Sequence, residues 1–458
     1  MTAISRAAAP HAFDANARSP AIDGAPPVAP NLARAPEVRR IHANFVETLV
    51  FKGISTPLAL GLVVLQSRFL HTSGRGAFVL AVLSVTILVR LLGQLGFAVT
   101  NRMQQRSAEL RRLVQAALAL GLALGVAGTA AIVAWGAFTR GVGSSVAAIA
   151  AGALVPAIVW QCISGVLLGL GRVRLWNVIQ TLPPVLTTAG MFVLVVWLHH
   201  GIRGAVLAWT LAHVLTASFS LVATRAIWLP FSLLRLLDLF NLALARLALT
   251  MGAVQVVNLI SYRVELFVLD RYRGIARVGV YSIAVQTGEM LWLVAGAVAA
   301  AVTAPCLHED EKEAASLIVR SALKSFAYTA IVAAGLGTVA PFLIPALLGR
   351  SFAGAARPLA FLLPGIVAYA PVTVLVVYLS VRRGKPRLSL LVSAVGMLVT
   401  LASALALIPR HGATGAAIAS SLGYFAGAGL AWFFLARLAR SGSNRGDSSS
   451  PRLTVQAS

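Results

Sequence analysis

Two stretches of the chain, HHGIRGAVLAW at 199–209 and RHGATGAAIAS at 410–420, share a Gly-x-x-Gly-Ala opening that runs into small and apolar residues. Gly201 and Gly412 lie 211 positions apart. A second pair, GRVRL from Gly171 and GKPRL from Gly384, is offset by 213, and a third, GAFVLAV from Gly76 and GVYSIAV from Gly279, by 203. Three matches in one order, with offsets that drift only by the length of a loop, mark two homologous halves. Small residues at such places also let helix backbones approach closely in lipid.

Composition says what the halves are made of. The 458 residues are 58% hydrophobic and 11% charged, with a mean hydropathy of +0.85. That is too apolar for a soluble chain of this length. Apolar runs of ~20 residues, enough for a helix to cross a ~30 Å hydrocarbon core, predict spans at roughly 46–66, 77–99, 113–135, 145–168, 175–198, 204–224, 247–269, 279–303, 322–348, 357–381, 388–408 and 413–436. The expected fold is all-α and polytopic, with about twelve transmembrane helices. Six spans separate the copies, and an even number restores orientation. The halves are therefore expected to be parallel six-helix bundles about an axis along the membrane normal, with substrate between them.

The predicted divisions are a disordered tail over 1–42, bundles over 43–235 and 236–438, and a second tail over 439–458. The Ala- and Pro-rich start cannot bury enough surface to offset ordering entropy. No short apolar segment with a small-residue cleavage site precedes the first span, so no cleaved signal peptide is expected. The longest internal connection, near 225–246, is too short for a soluble domain.

The net charge of +24 falls on alternate loops rather than one patch, which argues against nucleic acid as a partner. One side carries Arg102, Arg106, Arg111, Arg112, Arg382, Arg383, Lys385 and Arg387 among others; the opposite side carries fewer, including Arg68, Arg75, Arg203 and Arg277. The bias, roughly two to one, predicts cytoplasmic termini.

Charges inside spans are costly and mark candidate sites. They are Glu47 and Lys52 in the first span, Arg90 in the second, Arg263 and Glu265 in the seventh and Glu289 in the eighth. Helical spacing gathers polar residues into stripes: Thr86, Arg90 and Gln94; Gln255, Asn258, Tyr262 and Glu265; Ser282, Gln286 and Glu289; and Thr48, Lys52 and Ser55. Arg263 and Glu265, two positions apart, should face nearly opposite sides and need separate partners. Two readings stay open: Arg263 or Arg90 forms a buried bridge with Glu47 or Glu289, or the arginines line a cleft for an anion.

Several chemistries lack their residues. There is no Gly-rich P-loop, Cys162 and Cys306 stand apart from any metal-type cluster, and HEDEKE from His308 lacks the second His of a zinc helix and reads as a solvated charge run. No nucleophile and base pair is evident, so the chain is expected not to be an enzyme, and neither cofactor nor metal is expected.

The stretch NLISYRVELFVLDRYRGIARVGVYSIAVQTGEMLWLVAGAVAAAVTAP at 258–305 resembles the seventh and eighth spans of bacterial polysaccharide exporters, in which an Arg-x-Asp pair, Gly-x-Tyr-x-x-Ala and a following Glu are typical. LIPALLGRSFAGAARPLAFLLPG, GKPRLSL and LIPRHGATGAAIAS resemble their C-terminal half, and SRFLHTSGRGAFVLAVLS with GQLGFAVTNR their first spans. Over roughly residues 45–435 the chain thus resembles the Wzx-type flippases of the MOP superfamily, which also holds the MATE drug exporters and the lipid II flippases. The resemblance implies a V-shaped pair of six-helix bundles that flip an undecaprenyl-pyrophosphate-linked oligosaccharide to the outer leaflet of the bacterial inner membrane. It places Arg263 on the family's Arg and Glu265 in the Asp place.

The resulting expectation is a cavity lined by Arg263, Arg90, Gln94, Asn258 and Tyr262, with Glu265, Glu289 and Glu47 coupling the cycle to H+ or Na+. The expected partners are the lipid-linked oligosaccharide, membrane lipids and polysaccharide polymerase or export machinery. The alternatives are a MATE-like drug or cation antiporter, using the embedded glutamates, and a membrane polymerase or ligase, which would need a sizeable outer loop.

Overall fold

The computed structural model describes residues 34–103, 110–138, 142–230 and 242–446. The remaining parts of the two predicted tails lie outside the described residues. The chain divides into two compact units, Met1–Glu47 and Thr48–Ser458. Of the first, residues 34–47 are described and helical; the architecture that follows is that of the second.

In chain order the helices are α1 (Arg34–Leu92), α2 (Leu95–Met103), α3 (Leu110–Phe138), α4 (Ser144–Ala151), α5 (Leu154–Gly169), α6 (Val173–Met191), α7 (Gly201–Ala223), α8 (Arg225–Trp228), α9 (Leu242–Ser261), α10 (Val264–Arg273), α11 (Ile275–Glu289), α12 (Trp292–His308), α13 (Glu311–Leu348), α14 (Ala356–Val376) and α15 (Pro386–Gly446). Among the described residues ten helical segments are long and apolar enough to cross a membrane. Two of them, Pro57–Asn101 and Pro386–Leu438, hold 45 and 53 residues, about 68 and 80 Å of helix, and each contains a sharp kink. Counting each as two crossings yields the twelve expected from the sequence.

The kinks are where the chain reverses. Gly412 has φ 57, and beyond it Gly415 lies against the helix it has just left: a Cβ there would sit 2.5 Å from the Leu407 carbonyl oxygen. The equivalent Gly201 has φ 55, and a Cβ on Gly204 would sit 3.0 Å from the Leu194 carbonyl oxygen. The second sequence pair behaves alike, with φ 69 at Gly171 and 59 at Gly384. The repeated Gly-x-x-Gly is therefore a turn with positive φ, which a Cβ would strain, followed by a close backbone approach. The first kink, at His71 (φ 55), is much tighter than the loop expected over 67–76, and helix resumes at once, so Arg75 lies within a helix rather than a loop.

Among the described residues, three clusters of buried apolar side chains hold the fold. The first gathers residues between Leu70 and Ala248 and the third residues between Ala299 and Leu438. The second combines residues of 266–424 with Leu80 and Leu83 of α1. Leu244, Ala245 and Ala248 of α9 belong to the first cluster, so the second and seventh spans each reach into the other half.

Gly415→Ala should destabilise the protein by about 1–3 kcal/mol, because the methyl group has no room beside the Leu407 carbonyl. Gly429→Ala in the same helix, where nothing lies within 4 Å, should leave the thermal midpoint unchanged or slightly raised. Thermal unfolding of the two purified variants checks both.

Candidate functional site

The seventh and eighth spans are both broken. Between α9 and α10 the backbone leaves the helix at Arg263 (φ −140, ψ −7). The Tyr262 amide donates to the Leu259 carbonyl at 3.2 Å and the Arg263 amide to that of Ile260 at 3.0 Å, three residues back instead of four. Between α11 and α12 the Leu291 amide donates to Gly288 and the Leu293 amide to Met290, each at 3.1 Å. Irregular backbone at membrane depth is tolerated where protein buries it or where it lines a polar path.

Arg263 and Glu289 stand at these two breaks and meet there. Arg263 Nη1 lies 2.5 Å from Glu289 Oε1 and Nη2 2.6 Å from Oε2, a two-pronged pair. Nη1 also donates to the Tyr262 carbonyl at 3.0 Å. The two side chains are 23% and 18% exposed, so the pair is shielded without being sealed. Of the two readings open for Arg263, the bridge is thus present, and its partner is Glu289.

Aromatic rings surround the pair. Tyr262 lies 5.0 Å from Trp292, 6.2 Å from Tyr369 and 6.0 Å from Tyr424 between ring centroids. The Tyr262 hydroxyl donates to that of Tyr369 at 3.3 Å. The buried Trp292 Nε1 has no acceptor among the described residues. These rings come from α12, α14, α15 and the break before α10. Trp292, Tyr369 and Tyr424 carried no signal in the sequence, since an aromatic residue in an apolar span breaks no pattern.

Glu265 follows in the first turn of α10 and is 1% exposed. The Tyr281 hydroxyl, 3.2 Å from Ser420 Oγ, donates to its Oε1 at a long 3.4 Å. Among the described residues its Oε2 has no hydrogen-bond partner, and no Lys or Arg forms a salt bridge with it. The break before α10 corrects the expectation of one continuous stripe from Gln255 to Glu265, because the two ends of that stripe belong to different helices.

The stripe on the eighth span does exist, and it is shared. Glu289 takes Arg263. One turn and two turns earlier on α11, Gln286 and Ser282 take Arg75, which comes from the second span and is fully buried. Arg75, counted from sequence as a loop charge, is thus a core cation. The only signal that could have found it is the Gly76–Gly279 repeat one residue away.

The other candidates are spread out. Gln94 is buried at the turn between α1 and α2, Asn258 is half-buried in α9, Arg90 is exposed in the last turn of α1, and Glu47 is half-buried. Among the described residues Arg90 makes no ion pair or hydrogen bond with the Arg263 cluster. The side chains of Thr48, Lys52 and Ser55 lie outside the described residues.

Removing one member of the Arg263–Glu289 pair leaves a shielded charge alone, which costs about 3–5 kcal/mol. Arg263→Gln and Glu289→Gln should each lower stability strongly, and the double variant should lose clearly less than the two together. Unfolding of the three variants in detergent measures the coupling.

No protein-family profile and no curated protein matches this sequence. Its fold does match solved structures. One is a multidrug resistance MATE family transporter of the MOP superfamily in its inward-facing conformation, with a TM-score of 0.73 and 17% identity over 85% of this chain and 96% of that one. Another is the lipid II flippase MurJ in an inward closed conformation, at 0.69 and 11% identity over 87% of this chain and 91% of that one. The outward-facing conformation of a MATE family transporter of the MOP superfamily scores 0.56, with 17% identity over 88% and 96%. The chain therefore has the polytopic helical fold of MOP superfamily transporters.

Proposed function

We propose that this protein is a transporter that flips an undecaprenyl-pyrophosphate-linked oligosaccharide from the inner to the outer leaflet of the bacterial inner membrane, by alternating access, for cell-surface or exopolysaccharide synthesis. The observation that carries this reading is the pair of guanidinium groups gathered on α11, one from each half, in a fold shared with transporters. Arginine suits a phosphoanion because its planar fork accepts two oxygens at once and cannot be deprotonated. The likeness to a lipid II flippase and the motifs over 258–305 support a lipid-linked substrate.

At Arg263 the substrate competes with a carboxylate already in place. A pyrophosphate oxygen pair takes over the fork that Glu289 occupies, and the displaced Glu289 takes up a proton or sodium ion. The exchange ties headgroup binding to cation binding. Sugars stack against Tyr262 and Trp292, while the prenyl tail stays in lipid. Both termini are assigned to the cytoplasm, and polymerase or export machinery to the receiving side. The higher similarity to an inward-facing than to an outward-facing MATE transporter supports reading this state as inward-type.

Mass spectrometry of the lipid-linked oligosaccharide pool in the host, with and without the gene, tests the reading. Loss of the gene should leave one complete, unpolymerised unit accumulating on the inner leaflet. Wild type should cure this and Arg263→Ala should not, at equal protein level. An unchanged pool in a strain with no redundant flippase would contradict the proposal.

One observation favours a second reading. The unpartnered Glu265 Oε2 suits a cation, as a MATE-like drug or cation antiporter would need. Drug resistance on overexpression, abolished by Glu265→Gln, would establish that reading instead.

A further inference from the structure

We propose that Arg75 is a latch between the two halves and that a phosphoanion opens it by taking the edge of the guanidinium that α11 holds. The inference rests on the flippase reading and assigns a second anion site to it, apart from Arg263.

The contact around Arg75 is nearly two-fold symmetric. A Cβ on Gly76 would lie 2.0 Å from the Ile275 carbonyl oxygen, and one on Gly279 would lie 1.9 Å from that of Thr72. Thr72 and Ile275 are 203 positions apart, as are the two glycines. The first turns of the second and eighth spans thus press backbone to backbone through equivalent residues, and no side chain could fit between them. On the latch reading this contact shuts one end of the path between the halves.

Arg75 fastens that contact, and its partners divide by half. Nη1 donates to Gln66 Oε1 at 2.9 Å and to the Val63 carbonyl at 3.4 Å, both in the same half. Nε donates to Ser282 Oγ at 3.1 Å and Nη2 to Gln286 Oε1 at 2.6 Å, both in the other half. Nε and Nη2 form the side edge of the guanidinium, the pair of parallel donors that a phosphate accepts in two-pronged fashion. All four acceptors are neutral, and among the described residues no carboxylate pairs with Arg75. Arg263, by contrast, is neutralised by Glu289.

Parting the halves therefore strips one edge of a cation that was never compensated and leaves the opposite end held by Gln66. What remains is an oriented receptor facing the opening. An anionic headgroup arriving there replaces two neutral oxygens with two charged ones, and charge-assisted bonds are about twice as strong. Substrate binding and opening of this end become one event. Arg68, whose Nε donates to the Leu347 carbonyl at 2.8 Å, adds a second clasp between the halves.

The test uses the full chain in nanodiscs with Cys162 and Cys306, both buried, replaced by Ala. Spin labels go on Ser73→Cys and Arg277→Cys, exposed positions beside the two turns, and electron–electron distances are recorded. The probes are undecaprenyl pyrophosphate and, separately, inorganic pyrophosphate. The wild-type pair should show one short distance that lengthens with the lipid probe. Ser282→Ala/Gln286→Ala keeps the charge and should populate the long distance unaided, with half-maximal response at about tenfold less probe. Arg75→Gln should lose the response. A shift with inorganic pyrophosphate as well would make the headgroup sufficient; a shift with the lipid alone would make membrane delivery part of the latch. An Arg75→Gln protein that responds as wild type does, or a Ser282→Ala/Gln286→Ala protein indistinguishable from wild type, would overturn the latch. So would a wild-type protein that cures the pool defect yet responds to neither probe. Failure to cure the pool defect would sink the flippase reading instead.

Discussion

A guanidinium group inside a membrane must find oxygen acceptors, and in this fold α11 supplies them. Its stripe of Ser282, Gln286 and Glu289 receives Arg75 from the second span and Arg263 from the seventh. A charge at the centre of a transmembrane helix costs ~2.5–3.5 kcal/mol even on insertion scales, so acceptors on α11 tie three spans together. It also treats its two cations differently. Arg263 is neutralised within its own half, and Arg75 is only solvated by dipoles, across the boundary between halves. The first contact is suited to exchange of one anion for another, the second to separation.

The glycine repeats provide the geometry that lets these contacts form. Positive φ at Gly201 and Gly412 reverses the chain within a residue or two, which keeps connections short and consecutive spans antiparallel. At Gly76 and Gly279 the same residue type does another job, bringing two helix starts from different halves into backbone contact. That contact places Arg75 beside Ser282 and Gln286. Duplication thus accounts for both the bundles and the seam between them.

Much of this was legible in the sequence, for reasons that can be named. Apolar length reports membrane crossing because 1.5 Å per residue must match a fixed thickness. The Gly-x-x-Gly-Ala pairs were legible because a positive-φ turn and a close approach both exclude a side chain. Ser282, Gln286 and Glu289 were legible as a stripe because α11 is unbroken over them. The stripe on the seventh span was not, since neither Gly nor Pro marks the break at Tyr262 and Arg263, and the apolar pattern runs straight through it. Arg75 was hidden by a kink of one residue at His71 where a loop was expected. The cluster that gathers Trp292, Tyr369 and Tyr424 around Tyr262 depends on four spans converging, which no local pattern encodes.

Arg75 binds across the halves, whereas Arg263 binds within one. The most direct measurement is an experimental structure in nanodiscs with the Gly76–Gly279 end held open by Gly279→Phe, whose ring cannot fit against the Thr72 carbonyl. In that structure Arg75 should have parted from Ser282 and Gln286 while keeping Gln66, and Arg263 should still hold Glu289. An open state in which Arg75 travels with α11, or in which the Arg263–Glu289 pair breaks instead, would contradict it.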